Sequence, residues 1–390
     1  MQYVTAGESH GPTLVAVVSQ VPAGVVVSSA AINADLRRRQ SGYGRGGRMA
    51  IEQDEVRILS GLRFGRTLGT PIALEISNRD WENWTERMAQ EGKAPRELEL
   101  EQSPRPGHAD LNGALKIGTR DCRDILERAS ARETAARVAA GAIAKAYLAH
   151  FGVELKSYVT RIGDVLLPSS EIERKAGVFS ADKIEESVVR CPDAATSSLM
   201  VDAIDAAREA GESLGGWFNV TVTGLVPGIG GYAEAGDRLT SRIGGALFSI
   251  PAIKGVEFGL GFAAGTLPGS KVHDAIMRVE GGGRGRIARA SNNAGGLEGG
   301  MTTGETLLVS AAMKPIPTMT TPLATVNLVT REATWASKER SDVCAVPAVA
   351  VVAEAELALV LAHAYQQKFG CDTINDSVQA FECYLARIAH

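Results

Sequence analysis

Apolar and polar positions along the chain predict a mixture of strands and helices. Residues 13–21, TLVAVVSQV, form an apolar run rich in β-branched residues, which is typical of a buried strand. Residues 56–65 and 70–78 predict two neighbouring strands, and residues 153–167 predict a further strand or strand pair. Strands are also expected at 216–228 and 305–313, whereas the polar segment 79–102 is expected to be exposed.

Helical periodicity is clearest after Ser130. Ser130 and Glu133 form an S-x-x-E capping box, in which each side chain satisfies a backbone N–H of the first turn. The helix that follows is expected to run for about 20 residues, or roughly 30 Å. Its apolar stripe consists mostly of small residues, so that another element can pack very close. The stripe is Ala135, Val138, Ala139, Ala142, Ile143 and Ala146.

Further helices are predicted near both ends of the chain and in its middle. Ser29 is expected to cap a short helix at 30–39, whose last turn is basic and therefore suits a helix C-terminus. A long final helix is expected at 348–370. Amphipathic surface helices are predicted at 180–190 and 197–211, and another helix at 238–250.

The order of these elements indicates the fold class. Strands occur in neighbouring pairs with helices between them, without a βαβ rhythm and without a repeat of fixed period. This order favours an α+β fold over a parallel doubly wound sheet. With 390 residues, the chain can form one large domain or two to three ordinary ones.

Composition excludes several classes of function. The net charge of −4 gives no reason to expect a nucleic-acid or acidic-membrane partner. The five cysteines are scattered and form no zinc pattern, so we expect free thiols in a reducing compartment and no metal site. The first residues do not resemble a signal peptide, and no apolar run is expected to reach the ~20 residues that span a bilayer. Together these features predict a cytoplasmic protein.

Two histidines and a helix terminus are the first candidate functional groups. Arg128 and Arg132 flank the start of the capped helix, where free N–H groups and the helix dipole favour a phosphate. His108 lies in a Pro-Gly turn and is a proton carrier that could face the same pocket. His10 lies between the two glycines of the segment GESHG. Residue types alone favour the alternative of an ordinary capped core helix with turn histidines.

Two glycine-rich segments allow further interpretations. GYGRGGR at 42–48 matches G-x-G-x-x-G, but it follows a helix and precedes an expected strand at 48–59, which excludes a dinucleotide fingerprint. We expect instead a basic loop, carrying Arg45 and Arg48, that closes over an anionic substrate. The run from Gly281 to Gly300 is either a flexible linker or an ordered loop whose amides wrap an anion or a planar ring. Near the last helix, a local ion pair of Asp342 with Arg340 is the simplest reading.

Taken together, the motifs resemble those of the chorismate synthase family over essentially the whole chain, in the family's order. The segments that carry the resemblance are GESHG at 7–11, RRRQSGYGRGGRM at 37–49, RPGHAD at 105–110, ERASARETAARVAAG at 127–141, SNNAGGLEGG at 291–300, KPIPT at 314–318 and RSDVCAVPA at 340–348. The resemblance implies a lyase of the shikimate pathway of aromatic amino acid biosynthesis. Its reaction is the 1,4-anti elimination of phosphate from 5-enolpyruvylshikimate 3-phosphate to give chorismate, with reduced FMN required although there is no net redox change.

The resemblance also implies roles for individual residues. His108 matches the proton donor to the departing phosphate, His10 the histidine that protonates the reduced flavin, and Asp342 the aspartate that helps to deprotonate flavin N5. The substrate or NADP-binding arginines are expected to be Arg39, Arg45, Arg48 and Arg132. The expected FMN contacts are Arg128, Ala129, Ser130, Pro251, Ala252, Gly299, Lys314, Pro315, Ile316, Pro317, Thr318 and Arg340.

The architecture implied by the resemblance is a single domain, 1–390, built as a β-α-β sandwich of antiparallel sheets flanked by helices and assembled as a homotetramer. NADPH is the expected ultimate reductant, and an external flavin reductase the expected partner, because no reductase domain is evident. One departure is Leu260 in GLGFAAG, where an acid is expected. Three rivals are a flavin oxidoreductase with net hydride transfer, a non-catalytic phosphate-binding regulator and a structural scaffold.

Overall fold

Two antiparallel sheets dominate the computed structural model, which describes residues 1–46, 52–168, 179–278, 287–337 and 342–388. The first sheet has the order β1-β2-β6-β3. Its strands are β1 (Gln2–Ala6), β2 (Thr13–Ser19), β3 (Val56–Ile58) and β6 (Ile72–Ser77). A short hairpin, β4 (Leu62–Arg63) with β5 (Arg66–Thr67), connects β3 to β6.

The second sheet has the order β10-β15-β9-β7-β8. Its strands are β7 (Glu154–Ile162), β8 (Val165–Leu166), β9 (Gly216–Thr223), β10 (Ile253–Phe258) and β15 (Leu307–Met313). Three further two-stranded pairs are separate from this sheet: β11 (Ile276–Arg278) with β12 (Ile287–Arg289), β13 (Leu297–Glu298) with β14 (Met301–Thr302), and β16 (Ala324–Val326) with β17 (Ala333–Trp335).

Helices account for much of the remaining described chain. The α-helices are α1 (Ser29–Gln40), α2 (Asp110–Ile117), α3 (Arg123–Leu126), α4 (Thr134–Ala149), α5 (Ala181–Glu186), α6 (Ala194–Glu209), α7 (Leu239–Phe248), α8 (Gly269–Val272), α9 (Val346–Phe369) and α10 (Ile374–Ile388). Short 3₁₀ turns occur at Arg79–Asn83, Ala131–Glu133, Ala235–Asp237 and Gly261–Thr266. The mixture of helices and antiparallel sheets confirms the predicted α+β class.

The core is organised around the pair α4 and α9. α4 packs on β2 and β6 of the first sheet, α9 packs on β7 and β9 of the second sheet, and the two helices pack against each other. The contact is made at Gly141, which lies between members of the predicted small-residue stripe but was not part of it. A Cβ on Gly141 would lie only 2.3 Å from the Cβ of Ala355, so the two helix backbones are in direct contact.

Several local predictions are wrong in detail. The short helix at 30–39 is α1, but it is capped by Ser28 instead of Ser29. The long helix after Ser130 begins with the 3₁₀ turn Ala131–Glu133, and α4 itself has 16 residues. Ser130 accepts from the N–H of Arg132, whereas Glu133 pairs with Arg137 at 2.8 Å, so only half of the capping box forms among the described contacts.

Two predictions about the C-terminal region also need correction. α9 is long and apolar enough to cross a membrane by length and composition, contrary to the expectation that no segment would be. Its apolar window is 89% buried, which makes it a core helix of this structure. It is not the final helix, because α10 follows after the turn at Gly370.

The remaining discrepancies lie in the loops. Within the strand expected at 48–59, only Val56–Ile58 is a described strand, and 47–51 lies outside the described residues. The segment 79–102 is mostly exposed, as expected, but Asp80 is buried. In the glycine-rich run, residues 287–300 form ordered hairpins, and Asp274 accepts hydrogen bonds from three groups of this segment. Residues 287–300 of this run are therefore ordered, and the expected contact of its amides with an anion or a planar ring stays a prediction.

Candidate active site

His10 lies in the tight turn between β1 and β2. The turn requires glycine at position 7, because its φ is +104° and a Cβ there would lie 2.4 Å from the carbonyl oxygen of Thr13. The imidazole is buried, and its Nδ1 is 2.9 Å from Oε1 of Glu127. Its ring stacks on Trp84, with ring centroids 3.9 Å apart and an interplanar angle of 26°. This histidine is therefore held in one orientation.

His108 is held by a second buried carboxylate. Its Nδ1 is 2.5 Å from Oδ1 of Asp110, and Arg105 donates from Nε to Oδ2 of the same aspartate at 2.8 Å. Burial opposes ionisation of Asp110, but hydrogen bonds from His108 and Arg105 outweigh it and hold its pKa well below the usual aspartate range. The aspartate therefore stays ionised and fixes the ring of His108.

The KPIPT segment packs against the loop of His108. Lys314 Nζ donates to the carbonyl oxygen of Gly107, and Arg105 Nη1 donates to Thr318 Oγ1 at 3.1 Å. The carbonyl oxygen of Ile316 accepts from Ser213. Pro315 and Pro317 complete this extended segment. Two motifs about 200 residues apart in sequence thus form one surface.

Arg39 and Arg132 meet at a buried aspartate. Asp54 accepts from Arg132 Nη1 at 2.6 Å and from Arg39 Nη1 at 3.4 Å. Arg39 also donates to the carbonyl oxygen of Ala131 at 2.9 Å. Burial lowers the pKa of Arg39 to about 10, with Asp54 opposing and the neighbouring Arg132 and Arg45 adding to the effect. The cations converge, as a site for an anionic ligand requires, although protein acceptors already engage many of their donors.

Asp342 joins the 44–46 loop to the segment before α9. Its Oδ2 is 2.9 Å from Arg45 Nη1, and its Oδ1 accepts from the N–H of Gly46 at 2.6 Å. The backbone N–H of Val343 donates to Gly44. The observed partner is thus Arg45; the predicted pair with Arg340 cannot be placed, since Arg340 and Arg48 lie outside the described residues.

The other predicted cofactor residues are grouped only in part. Arg128 donates to the carbonyl oxygens of Thr5 and Gly7, next to the turn of His10. Ala129 and Ser130 continue directly into the 3₁₀ turn before α4. Pro251 and Ala252 lie before β10, and the carbonyl oxygen of Ala252 accepts from the N–H of Lys314. Gly299 lies in the β13–β14 turn, and no described contact joins it to this group.

Sequence reasoning missed the carboxylates and the indole that hold the two histidines. Glu127 and Trp84 reach His10 from distant segments, and a single sequence carries no signal for such contacts. Asp110 could have been proposed from the sequence as the partner of His108, since it lies two residues after it in the RPGHAD motif. Among the described residues, no group of three or more His, Cys, Asp or Glu side chains is arranged to hold a metal ion.

Comparison with known proteins defines the class. The family model described as chorismate synthase matches residues 1–366. A chorismate synthase of Moorella thermoacetica is 52% identical over 391 residues, covering 100% of both chains, and that of Desulforudis audaxviator is 50% identical over 388 residues, covering 100% of this chain and 98% of its own. A crystal structure of chorismate synthase superposes with a TM-score of 0.80 at 40% identity, covering 100% of this chain and 98% of that chain.

The chain belongs to the chorismate synthase family. Its reaction is that of the family, a lyase reaction in which 5-enolpyruvylshikimate 3-phosphate loses phosphate and a ring proton to give chorismate, in aromatic amino acid biosynthesis. The family uses reduced flavin.

Proposed function

We propose that this chain performs the elimination with His108 as proton donor to the departing phosphate, His10 as proton donor on the cofactor side, and Asp342 as proton acceptor there. The observation that carries the proposal is that hydrogen bonds and an ion pair join distant motifs into three pairs, each of which holds one of these residues or its loop. The turn of His10 meets the segment before α4, the loop of His108 meets KPIPT, and the 44–46 loop meets Asp342.

The residues present fit an anionic flavin cofactor. Burial, and after it repulsion by the charge of Lys254, lower the pKa of Lys314, whose backbone N–H donates to the carbonyl oxygen of Ala252. A cofactor phosphate would relieve this repulsion. We propose that reduced FMN binds Arg128–Ser130, Pro251–Ala252, Gly299, Lys314–Thr318 and Arg340. When bound, reduced FMN supplies electron density that assists phosphate departure and is restored as hydrogen leaves the substrate ring.

The substrate's anionic groups are assigned to Arg39, Arg45, Arg48 and Arg132. Buried Arg132 Nη2 supports this assignment, because it has no hydrogen-bond partner among the described residues and lies 3.6 Å from Glu52. Each charge-assisted hydrogen bond to the substrate would contribute about 1.5–3 kcal/mol. In this arrangement Asp54 holds Arg39 and Arg132 together before substrate arrives, which lowers the ordering cost of binding.

The higher organisation is part of the same proposal. We infer a single domain over 1–390, arranged as a β-α-β sandwich in which α4 and α9 separate the two sheets, and assembled as a homotetramer in the cytoplasm. The contacts of α4 with the first sheet and of α9 with the second support the layered order. NADPH is the ultimate reductant, delivered through an external flavin reductase. Flavin reduction by the purified protein with NADPH alone would overturn this last assignment.

The test of the site is a pair of histidine variants assayed with reduced FMN under anaerobic conditions. His108→Ala should lower kcat by about 10²-fold or more, the lower end of what a general acid contributes, while FMN binding is retained. His273→Ala, at the end of α8, is the matched control and should turn over like the wild type. Unchanged turnover of His108→Ala would remove His108 from the mechanism.

A further inference from the structure

One carboxylate holds both the backbone and the ring of His10. Oε2 of Glu127 accepts from the backbone N–H of His10 at 2.7 Å, and Oε1 lies 2.9 Å from its Nδ1. Glu127 directly follows α3, 117 residues further along the chain. Because the two hydrogen bonds fix the main chain and the imidazole of the same residue, they leave the ring little freedom about its side-chain torsions.

A stacked indole restrains the face of the same ring. Trp84 is stacked on His10, and the guanidinium of Arg123 lies 4.9 Å from the centre of the indole. Arg123 also donates to Oε1 of Glu127 at 2.8 Å. Trp84 is anchored in turn by Nε1, which donates to buried Asp80 at 3.3 Å. The imidazole is therefore bounded by a carboxylate at its edge and an aromatic ring on its face.

The ionisation of Glu127 determines which nitrogen of His10 carries a proton. Burial raises the pKa of Glu127, but the hydrogen bonds from His10 and Arg123 outweigh burial and lower it below the ordinary value. An ionised carboxylate can only accept hydrogen bonds, so Nδ1 of His10 must donate. In the neutral ring, the proton then lies on Nδ1 and the lone pair on Nε2. Nε2 is therefore the nitrogen that takes up a proton and, in the imidazolium, donates it.

We propose that Glu127 is a positioning residue that fixes the Nδ1–H tautomer of His10 and directs Nε2 to the reaction. The kinetic part rests on the role of His10 in the proposed function, whereas the tautomer part does not. Glu127 lines a cavity of about 310 Å³ together with several other charged groups. They are Glu8, Arg87, Glu99, Asp121, Arg123 and Asp124.

Glu127→Gln gives the sharpest test, because a carboxamide has one acceptor and one donor end. The fixed backbone N–H of His10 requires the oxygen, whereas the flexible side chain of Arg123 can turn away from the former Oε1 position, so the amide NH₂ faces Nδ1. Nδ1 must then accept, and the ring proton moves to Nε2. Magic-angle-spinning NMR of sedimented, ¹⁵N-histidine-labelled protein at pH 8 distinguishes the two tautomers, with the His10 signal assigned by its absence in His10→Gln.

We expect Nδ1–H in the wild type and in Glu127→Asp, and Nε2–H in Glu127→Gln. We expect kcat of Glu127→Gln to fall by about 10²-fold with little change in KM. A ring whose Nδ1 accepts from an amide N–H does not form the imidazolium that donates from Nε2, and most of the general acid–base contribution is lost. Asp124→Asn is the matched control, since it removes the same charge from an exposed position on α3, and it should keep both the tautomer and the rate.

Two results would overturn the proposal. The first is an Nδ1–H ring in Glu127→Gln with kcat within threefold of the wild type. The second is a loss of kcat in Glu127→Asp as large as in Glu127→Gln although Nδ1–H is retained, which would mean that Glu127 does not act through the tautomer. If the wild type itself does not turn over, the proposed function fails, but the tautomer comparison still decides whether Glu127 positions His10.

Discussion

The contact between α4 and α9 predicts a large effect for the smallest possible substitution, Gly141→Ala. The added Cβ would lie 2.3 Å from the Cβ of Ala355 and 2.5 Å from its Cα. Carbon atoms pack comfortably at about 3.5–4.0 Å, so the two helices would have to separate by about 1.2 Å at this point. Because α4 packs on one sheet and α9 on the other, neither helix can move alone.

Two opposing terms set the magnitude. Replacing glycine by alanine inside a helix stabilises it by roughly 1 kcal/mol through helix propensity alone. Overpacking a filled core costs about 1–3 kcal/mol, and the contact here is with backbone as well as a methyl group. Gly245→Ala in α7 isolates the first term, because a Cβ there would meet no atom within 4 Å. The propensity term is common to both variants, so they should differ in free energy of unfolding by the overpacking term, about 1–3 kcal/mol.

Urea unfolding followed by far-UV circular dichroism measures the difference. Protein concentration is held constant, since assembly adds to apparent stability. We expect Gly141→Ala to unfold at lower urea than the wild type, and Gly245→Ala at equal or higher urea. Equal midpoints for the two variants would refute the claim that direct backbone contact between α4 and α9 is a principal constraint of the fold.

Two other predictions concern buried groups. Glu354 is buried between Arg38 and Lys145, and each of the two ion pairs measures 2.8 Å. Urea titrations should therefore show that Glu354→Gln costs about 3 kcal/mol of unfolding free energy. The control is Glu185→Gln, at an exposed partner of the same arginine, which should cost less than about 1 kcal/mol. Burial raises the pKa of Glu354, but the ion pairs with Lys145 and Arg38 outweigh burial and lower it. The contribution of Glu354 to stability is therefore complete above the ordinary glutamate pKa of about 4.3 and is lost as pH falls below it. A wild-type advantage that grows in acid would contradict this reasoning. A thiol reagent at pH 8 should modify the two exposed cysteines rapidly and all five only after denaturation. The other three are buried, and burial raises the pKa of the Cys344 thiol to about 12. More than two rapidly modified thiols in the native protein would contradict the burial pattern.

Strongly periodic elements were predictable from the sequence, because the spacing of apolar residues within one segment determines which side of that segment is buried. The small-residue stripe of α4 and the apolar run of β2 both lie in the core as expected. α2 was missed because Leu115 and Ile117 point into solvent, so its pattern shows no buried stripe. α10 was also missed, although the spacing of Ile374, Val378 and Phe381 carries an amphipathic signal.

The candidate site divides in the same way between local and distant information. The glycine-flanked histidines stood out because unusual turns leave a local mark in the sequence. Their partners Glu127 and Trp84 did not, since these contacts join segments about 70 to 120 residues apart and depend on how the chain folds back. The two arginines on Asp54 illustrate the same limit: residue types suggested cations for a ligand, and only the structure shows that a buried acid holds them together.

The central claim is a redox-neutral elimination, and its most direct test is stoichiometry. FMN is reduced with dithionite in the presence of the protein under anaerobic conditions, and 5-enolpyruvylshikimate 3-phosphate is then added. Chorismate, phosphate and flavin absorbance are followed together. We predict many molecules of chorismate per flavin, one phosphate for each, and a flavin that remains reduced without further reductant. Consumption of two electrons from the reductant for each chorismate formed would contradict the account, and so would binding of substrate without any product.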